Sequence, residues 1–403
     1  MKVKYLIFGS IAFYSYFARS QDAVSTRKEG KISKTEIEIL YSHYIQDGDH
    51  SAVTGGTGTE KLTVYSPAIY LKKTSDRNTY MLKGGVDVIS SASTDNIDYV
   101  VSSASRRDAR GYLQLDFSRT FSGNRLALGG GAGLSIESDY FSKALRLSAE
   151  YTPTERMWTW FMNVQLFFDD LRWGRHKGTL MLIYPSELRG TEWFDVYTRN
   201  TYTLNPGVTQ IVGKRNVLGL FLDLSYQSGL LSTPFHRVYF NNDSLVVENL
   251  PMRRKRGAIG LKWNSFIGGR FVLKNRLDFY RDNFGINGFG FTNEILVKLS
   301  SRLSLGPHFR FYNQEGSRYF APYREHSADE TYYTSDYDLS GFRSFLAGLD
   351  SRYNLNRYAG KKLLFNFVSF RYSYYHRSDK LAAHIFSLTL NGGLYKSRHD
   401  PGE

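Results

Sequence analysis

The stretch 156–170 reads RMWTWFMNVQLFFDD, and its even positions Trp158, Trp160, Met162, Val164, Leu166 and Phe168 are all large and apolar. Such alternation describes a β-strand with one apolar face, because successive side chains of a strand point to opposite sides. The pattern returns at Leu218, Leu220, Leu222, Leu224 and Tyr226, at Phe289, Phe291, Ile295, Val297 and Leu299, and at Phe386, Leu388 and Leu390. Carried along the chain it predicts about sixteen strands: 34–46, 61–72, 79–90, 111–121, 125–137, 143–151, 157–168 and 199–212, then 216–227, 257–266, 270–281, 288–299, 302–312, 342–353, 362–375 and 383–395. An even number of two-faced strands is what bacterial single-chain membrane barrels use.

The connections give an independent test of that reading. The long ones, 47–60, 91–110, 169–198, 228–256 and 313–341, all follow odd-numbered strands, and every connection after an even-numbered strand is short. Outer-membrane barrels sort their connections in this way, with short periplasmic turns and long extracellular loops. The expected fold is all-β, a closed antiparallel transmembrane barrel over residues 34–395. A periplasmic segment at 21–33 precedes it and a charged periplasmic tail at 396–403 follows it.

The first twenty residues read as a cleaved secretory signal: Lys2 and Lys4, an apolar and aromatic stretch at 5–17, then the small-x-small triplet Ala18-Arg19-Ser20. A transmembrane anchor is the competing reading, and the shortness of the stretch and its interruption by Ser10 and Ser15 weigh against it. Thirty Tyr, 28 Phe and 36 Gly against nine Pro favour strands, tight turns and interfacial aromatic belts over a helical domain. The absence of cysteine excludes both a disulfide framework and a lipid-anchored lipoprotein. A net charge of +14 raises the question of nucleic acid, but an exported chain meets anionic lipid, lipopolysaccharide phosphates or an anionic solute instead. The densest basic cluster, Arg253-Arg254-Lys255-Arg256, reads as a solvated loop face or as a contact for outer-leaflet phosphates.

If the apolar positions meet lipid, the alternate positions line the lumen. Lumen candidates are Glu36, Glu38, Asp116, Glu150 and Asp223 on the earlier strands, and Lys262, Lys274, Arg276, Lys298, Arg310, Arg352 and Arg371 on the later ones. The first set leans acidic and the second basic. A transverse field across an aqueous pore would orient polar solutes; mutual pairing of the same charges would instead fill and rigidify the interior. The glycine run 129–133 lacks the Gly-Lys-Ser/Thr ending of a phosphate loop and lies within a strand pattern.

Candidate chemistry concentrates in the long loops, as expected for a rigid scaffold. Asp47, Asp49 and Ser51 are spaced like the start of a calcium loop, but Ala52 stands where such a loop needs Gly and Gly58 where it needs Glu. Asp47, Asp49 and His50 remain candidates for a looser divalent-metal site, with Asp95 and Asp98 offering oxygen ligands in the next loop. The segment 320–339 packs His326, Asp336 and Asp338 among aromatics and reads either as a folded cap or recognition surface or as a solvated loop. No flavin or other cofactor motif is present. His376 and Ser378 have the offset a barrel lipase would need, too little on its own to make the chain an enzyme.

The strings DGDHSAVTGGTGTEKL, SASTDNID with the later VSSAS, SGLLSTPFHRVYF, YFAPYREHSADETYYTSDYDLS and YYHRSDKLAAHI together resemble a domain-of-unknown-function family of outer-membrane barrels of Gram-negative, especially Bacteroidota-type, bacteria. The resemblance runs over about 35–390. It implies location and architecture, and association with a periplasmic system of thioredoxin-like and flavin-transferase proteins. The functional expectation is a porin-type barrel that passes or binds a polar solute. The alternatives are a non-conducting scaffold or surface receptor for a periplasmic redox or metal-handling system, and an embedded hydrolase.

Overall fold

The computed structural model describes residues 33–91, 107–121, 123, 125–137, 140–153, 157–171, 198–233, 236–360 and 363–395. Residues 1–32, over which the sequence predicts the signal and the periplasmic segment, the predicted tail, most of the 91–110 and 169–198 connections, and with them Asp95 and Asp98, lie outside the described residues.

Sixteen strands close into one barrel. In chain order they are β1 (Ser33–Asp47), β2 (Leu62–Ser75), β3 (Asn78–Ser91), β4 (Arg107–Phe121), β5 (Leu126–Glu137), β6 (Tyr140–Tyr151), β7 (Trp158–Asp170), β8 (Thr198–Val212) and β9 (Asn216–Gly229), then β12 (Arg253–Ile267), β13 (Phe271–Asp282), β14 (Asn287–Lys298), β15 (Leu303–Gln314), β16 (Phe342–Ala359), β17 (Leu363–Arg377) and β18 (Ala382–Tyr395). Two three-residue strands, β10 (Arg237–Tyr239) and β11 (Leu245–Val247), pair with each other outside the barrel. Each barrel strand pairs antiparallel with its neighbours, and β1 meets β18 in register from Lys34 opposite Tyr395 to Asp47 opposite Ala382. Closure matters because an unpaired backbone group in hydrocarbon costs several kcal/mol, and only a sheet without edges avoids it.

The outer face is apolar. On β7, Trp158, Trp160, Met162 and Phe168 are exposed, and Leu113, Leu115, Leu145, Leu147, Leu218, Leu220, Ile259, Leu261, Trp263, Leu349 and Leu388 continue the belt around the barrel. No helix among the described residues is long and apolar enough to cross a membrane; the crossing is made by strands of 12 to 18 residues, longer than the roughly 9–11 that a tilted strand needs.

Two boundaries differ from the sequence pattern. β16 continues to Ala359 through a register shift between Asn354 and Arg357, so the 354–361 connection is mostly strand. β12 starts at Arg253, which places the whole basic cluster inside a strand. Arg254 is thereby half-buried: its Nε donates to Asp282 at 2.9 Å and its guanidinium lies 4.6 Å from the Phe284 ring centre. Arg256 donates to Ser225 at 3.1 Å, which leaves Arg253 and Lys255 exposed. A loop reading of four consecutive basic residues fails because long cationic side chains are tolerated in a strand when alternate ones find partners inside.

The ends of the barrel are unlike. At one end the turns are tight, with Asp76 at φ 54° between β2 and β3 and the Gly268-Gly269 pair at 57° and 74° between β12 and β13. At the other end the loops fold on one another around two apolar clusters. Val238, Phe240 and Tyr333 form one, with Val246 against them. Leu231, Leu250, Phe284, Ile286 and Leu339 form the other, flanked by Tyr280 and Tyr319.

Ring order fixes what this cap does. The β1–β2 and β9–β12 connections are rooted eight strands apart in a ring of sixteen, on opposite sides of the mouth. They touch nonetheless: Gly55 lies so close to Tyr239 that a Cβ on it would fall 2.6 Å from that ring. Loops rooted on opposite sides that meet must bridge the opening between them.

Candidate functional site

The sequence-predicted lumen residues lie on the strand positions alternate to the exposed apolar ones. Glu36 and Glu38 alternate with Ile37 and Ile39, Asp116 with Leu115 and Phe117, Glu150 with Tyr151, and Asp223 with Leu222 and Leu224. Lys262, Lys274, Arg276, Lys298, Arg310, Arg352 and Arg371 hold the same alternation on β12 to β17.

Their charges are interleaved more than the sequence order suggests. Lys274 Nζ is 3.2 Å from Glu294, whose other oxygen accepts from Arg371 at 2.6 Å. Arg371 also donates from Nη2 to Asp350 Oδ2 at 3.1 Å, with its Nε 2.7 Å from the other oxygen. Asp350 in turn lies 3.0 Å from His308 Nδ1, and His308 Nε2 lies 2.8 Å from Ser373 Oγ. This chain crosses five adjacent strands, β13 to β17. Glu294, His308 and Asp350 fall on the same alternation that picks out the lumen candidates, whereas Ser373 carries no charge that would mark it. Further round, Arg146 approaches Asp116 at 3.9 Å and Arg110 approaches Asp87 at 3.8 Å.

Lys262, Arg310 and Arg352 have no carboxylate within ion-pair distance among the described residues. Arg352 lies over the Phe367 ring at 3.6 Å. Lys262 stands directly across from Arg276 in the β12–β13 register, two positions from the pair of Asn264 and Lys274. Arg276 is itself paired with Asp278 at 2.7 Å and Lys274 with Glu294 at 3.2 Å, so Lys262 is the cation of this group that has no carboxylate partner among the described residues.

The order Ser373, His308, Asp350 is one that hydrolases use. Ser373 is only 5% exposed, and its strand pairs on both sides in the barrel ladder. Gly348 is packed against both the Tyr372 carbonyl and the imidazole: a Cβ there would clash with Tyr372 O and fall 2.6 Å from the His308 ring. His376 is on the outward alternation of β17, and the Ser378 hydroxyl accepts from Arg343 N at 3.1 Å.

In the cap, the sequence-predicted metal residues go separate ways. His50 Nδ1 is 3.1 Å from Gly56 O, and its ring stacks on Tyr337 with centres 3.9 Å apart. Asp47 is exposed beside Lys61 at 3.8 Å, and Asp49 is exposed. The 320–339 segment is a folded part of the cap: His326 is buried, with Nδ1 2.7 Å from Glu330 and Nε2 3.0 Å from Thr334 O. Asp338 accepts from Arg377 at 2.6 Å, and Arg377 also donates to Tyr337 O at 2.8 Å and to Asp379. Burial, with Asp338 nearby, pushes the half-buried Glu60 up to about 8. Asp336, picked out by sequence, joins two residues that were not: His236, Glu248 and Asp336 are all buried, with one donor atom of each within 4.8 Å of the others.

A closed barrel with an apolar belt, a charged interior and one looped end defines a membrane-spanning protein of the outer-membrane type. The chain belongs to the family described as protein of unknown function (DUF3570), which matches residues 4–397. Comparison with curated proteins returns no match. Among solved structures the chain is similar to the outer membrane protein OpdK of Pseudomonas aeruginosa, at 9% identity over 90% of this chain and 99% of that one, with a TM-score of 0.41. It is also similar to OccK2 (OpdF) of the same species in complex with glucuronate, at 10% identity, 92% and 100% coverage and a TM-score of 0.42. The toluene transporter TodX of P. putida gives 8% identity, 92% coverage of both chains and a TM-score of 0.39.

Proposed function

We propose that this protein is a porin-type barrel of the bacterial outer membrane that passes or binds a polar solute. The exposed apolar belt supports the membrane setting, and the sorting of loop lengths supports an orientation with the cap outside and the tight turns in the periplasm. Lipid and lipopolysaccharide are then its surroundings, with exposed Arg253 and Lys255 available to their phosphates. Barrels of sixteen strands leave room for water inside, and Lys262, whose neighbours Lys274 and Arg276 are already paired with Glu294 and Asp278, is the charge that favours anionic solutes over cationic ones. The observation that carries the gating part of the proposal is the bridge between Gly55 and Tyr239, from opposite sides of the mouth. Planar-bilayer recording on the purified protein tests it. Discrete conductance that favours small anions supports the reading, and silence with every ion and solute tried, cap intact or cleaved, defeats it.

One feature favours the second reading, a non-conducting receptor or scaffold serving a periplasmic redox, flavin-transferase or metal-handling system. The cap has apolar clusters of its own, as a folded surface module does. Cross-linking and co-purification from outer membranes test it: a specific periplasmic partner together with zero conductance would move the conclusion there.

A further inference from the structure

His236 Nδ1 lies 3.5 Å from Glu248 Oε1 and 3.6 Å from Asp336 Oδ2, with the three side chains 5%, 1% and 9% exposed. The nitrogen has no hydrogen-bond partner, although it is fully enclosed. Buried polar atoms left in this state are rare, because each forfeits its hydration without a replacement.

The neighbouring His326 shows what a satisfied histidine looks like in the same cap, with contacts of 2.7 and 3.0 Å. A protonated His236 bridging two carboxylates would draw them to about 2.7–2.9 Å, as charge-assisted hydrogen bonds do. Donor atoms on a tetrahedral metal behave differently. With bonds of about 2.0–2.2 Å, their separations are about 3.4 Å, close to the two observed here.

The carboxylates are also held in place rather than free to collapse onto the ring. Glu248 accepts from Thr233 N at 2.5 Å and from Thr334 Oγ1 at 2.6 Å, and Asp336 Oδ1 accepts from Asp338 N at 3.0 Å. Glu248 N donates to His236 O at 3.0 Å, so the backbone sets these two residues side by side at the base of the β10–β11 hairpin. Partners that fix ligand orientation are the usual second requirement of a metal centre.

We infer that His236, Glu248 and Asp336 bind a divalent first-row transition cation, of which zinc is the probe. An imidazole with two carboxylates suits such ions, whereas calcium takes six to eight oxygens and magnesium retains water. Three protein ligands leave one position for water or a further group. The ion ties the hairpin of the β9–β12 connection to the β15–β16 connection, and so stiffens the part of the cap that Tyr239 extends toward Gly55.

The test uses the full-length protein in detergent, stripped with a chelator and titrated with zinc chloride. One zinc per chain is expected in the wild type and none in His236→Gln or Glu248→Gln, while His50→Gln keeps its zinc. Thr334→Val, which removes only an orienting hydrogen bond, weakens binding about tenfold to a hundredfold. Cobalt(II) in place of zinc gives the intense visible bands of tetrahedral coordination in the wild type, a readout that needs no folded variant. Wild-type protein that retains no zinc after dialysis, stoichiometry unchanged in both ligand variants, or only the weak bands of an octahedral cobalt ion would each overturn the inference. So would a cap protected from protease by mild acid and not by zinc, the mark of a simple imidazolium bridge.

Discussion

Gly55 and Tyr239 are in contact although the connections that carry them leave the barrel eight strands apart. Gly55 sits at φ 79°, a backbone conformation open to glycine, and its missing side chain is the space the tyrosine ring occupies. The Gly55→Val variant therefore separates the two halves of the cap without touching the barrel. Expected outcomes are faster proteolysis within 48–61 and 230–252 and unchanged heat-modifiable migration on gels. Parallel loss of barrel stability would show that the loops brace the walls.

Arg377 holds the cap to the wall. Its side chain is 4% exposed, lies 4.0 Å over the Phe342 ring and joins Asp338, Asp379 and Tyr337 O. Arg377→Met leaves Asp338 without its cation, a loss on the order of 3–5 kcal/mol when one partner of a buried pair is removed. Hydrogen exchange of the 337–341 amides reports it, and protection equal to wild type would refute the role.

Glu60 sets a pH response. Its carboxyl is pushed up to about 8 from an ordinary 4.5, chiefly by burial. A carboxyl whose folded-state value is raised favours the fold when protonated, so that contribution is complete below about 4.5 and fades as pH climbs through about 8. The cap is expected to loosen from acid to mildly alkaline pH, and Glu60→Gln to flatten that part of the trend. Cap protection measured by exchange at several pH values, wild type against variant, decides the matter.

Lys262 is the unneutralised cation of a group in which Lys274 pairs with Glu294 and Arg276 with Asp278. Lys262→Glu is expected to lower the anion-to-cation permeability ratio severalfold, while Arg253→Glu on the outer surface leaves it alone. Equal effects of the two would argue against selection inside the lumen.

The barrel was legible because period-two alternation survives wherever one strand face meets hydrocarbon and the other does not. Loop lengths then gave the sidedness. β10 and β11 escaped notice since strands of three residues contain no periodicity to read. Arg253 to Arg256 misled for a related reason, as a run of charges looks the same in a loop and in a strand whose alternate members turn inward. Lumen candidates were found by alternation, whereas the links among Lys274, Glu294, Arg371, Asp350 and His308 depend on the register between neighbouring strands, which alternation within one strand does not fix. Asp336 was singled out within an acidic segment, but its partners His236 and Glu248 come from another loop, and nothing local to either marks them.

The central claim is that one face of each strand meets lipid and the other does not. Fluorescence quenching by brominated acyl chains tests it most directly, in liposomes, with a single tryptophan retained at Trp160 or moved one residue along by Phe161→Trp in a background without the others. Trp160 is 53% exposed on the outer face, so strong quenching is expected there and little at 161. Equal quenching at both positions, or none at either, would contradict the account.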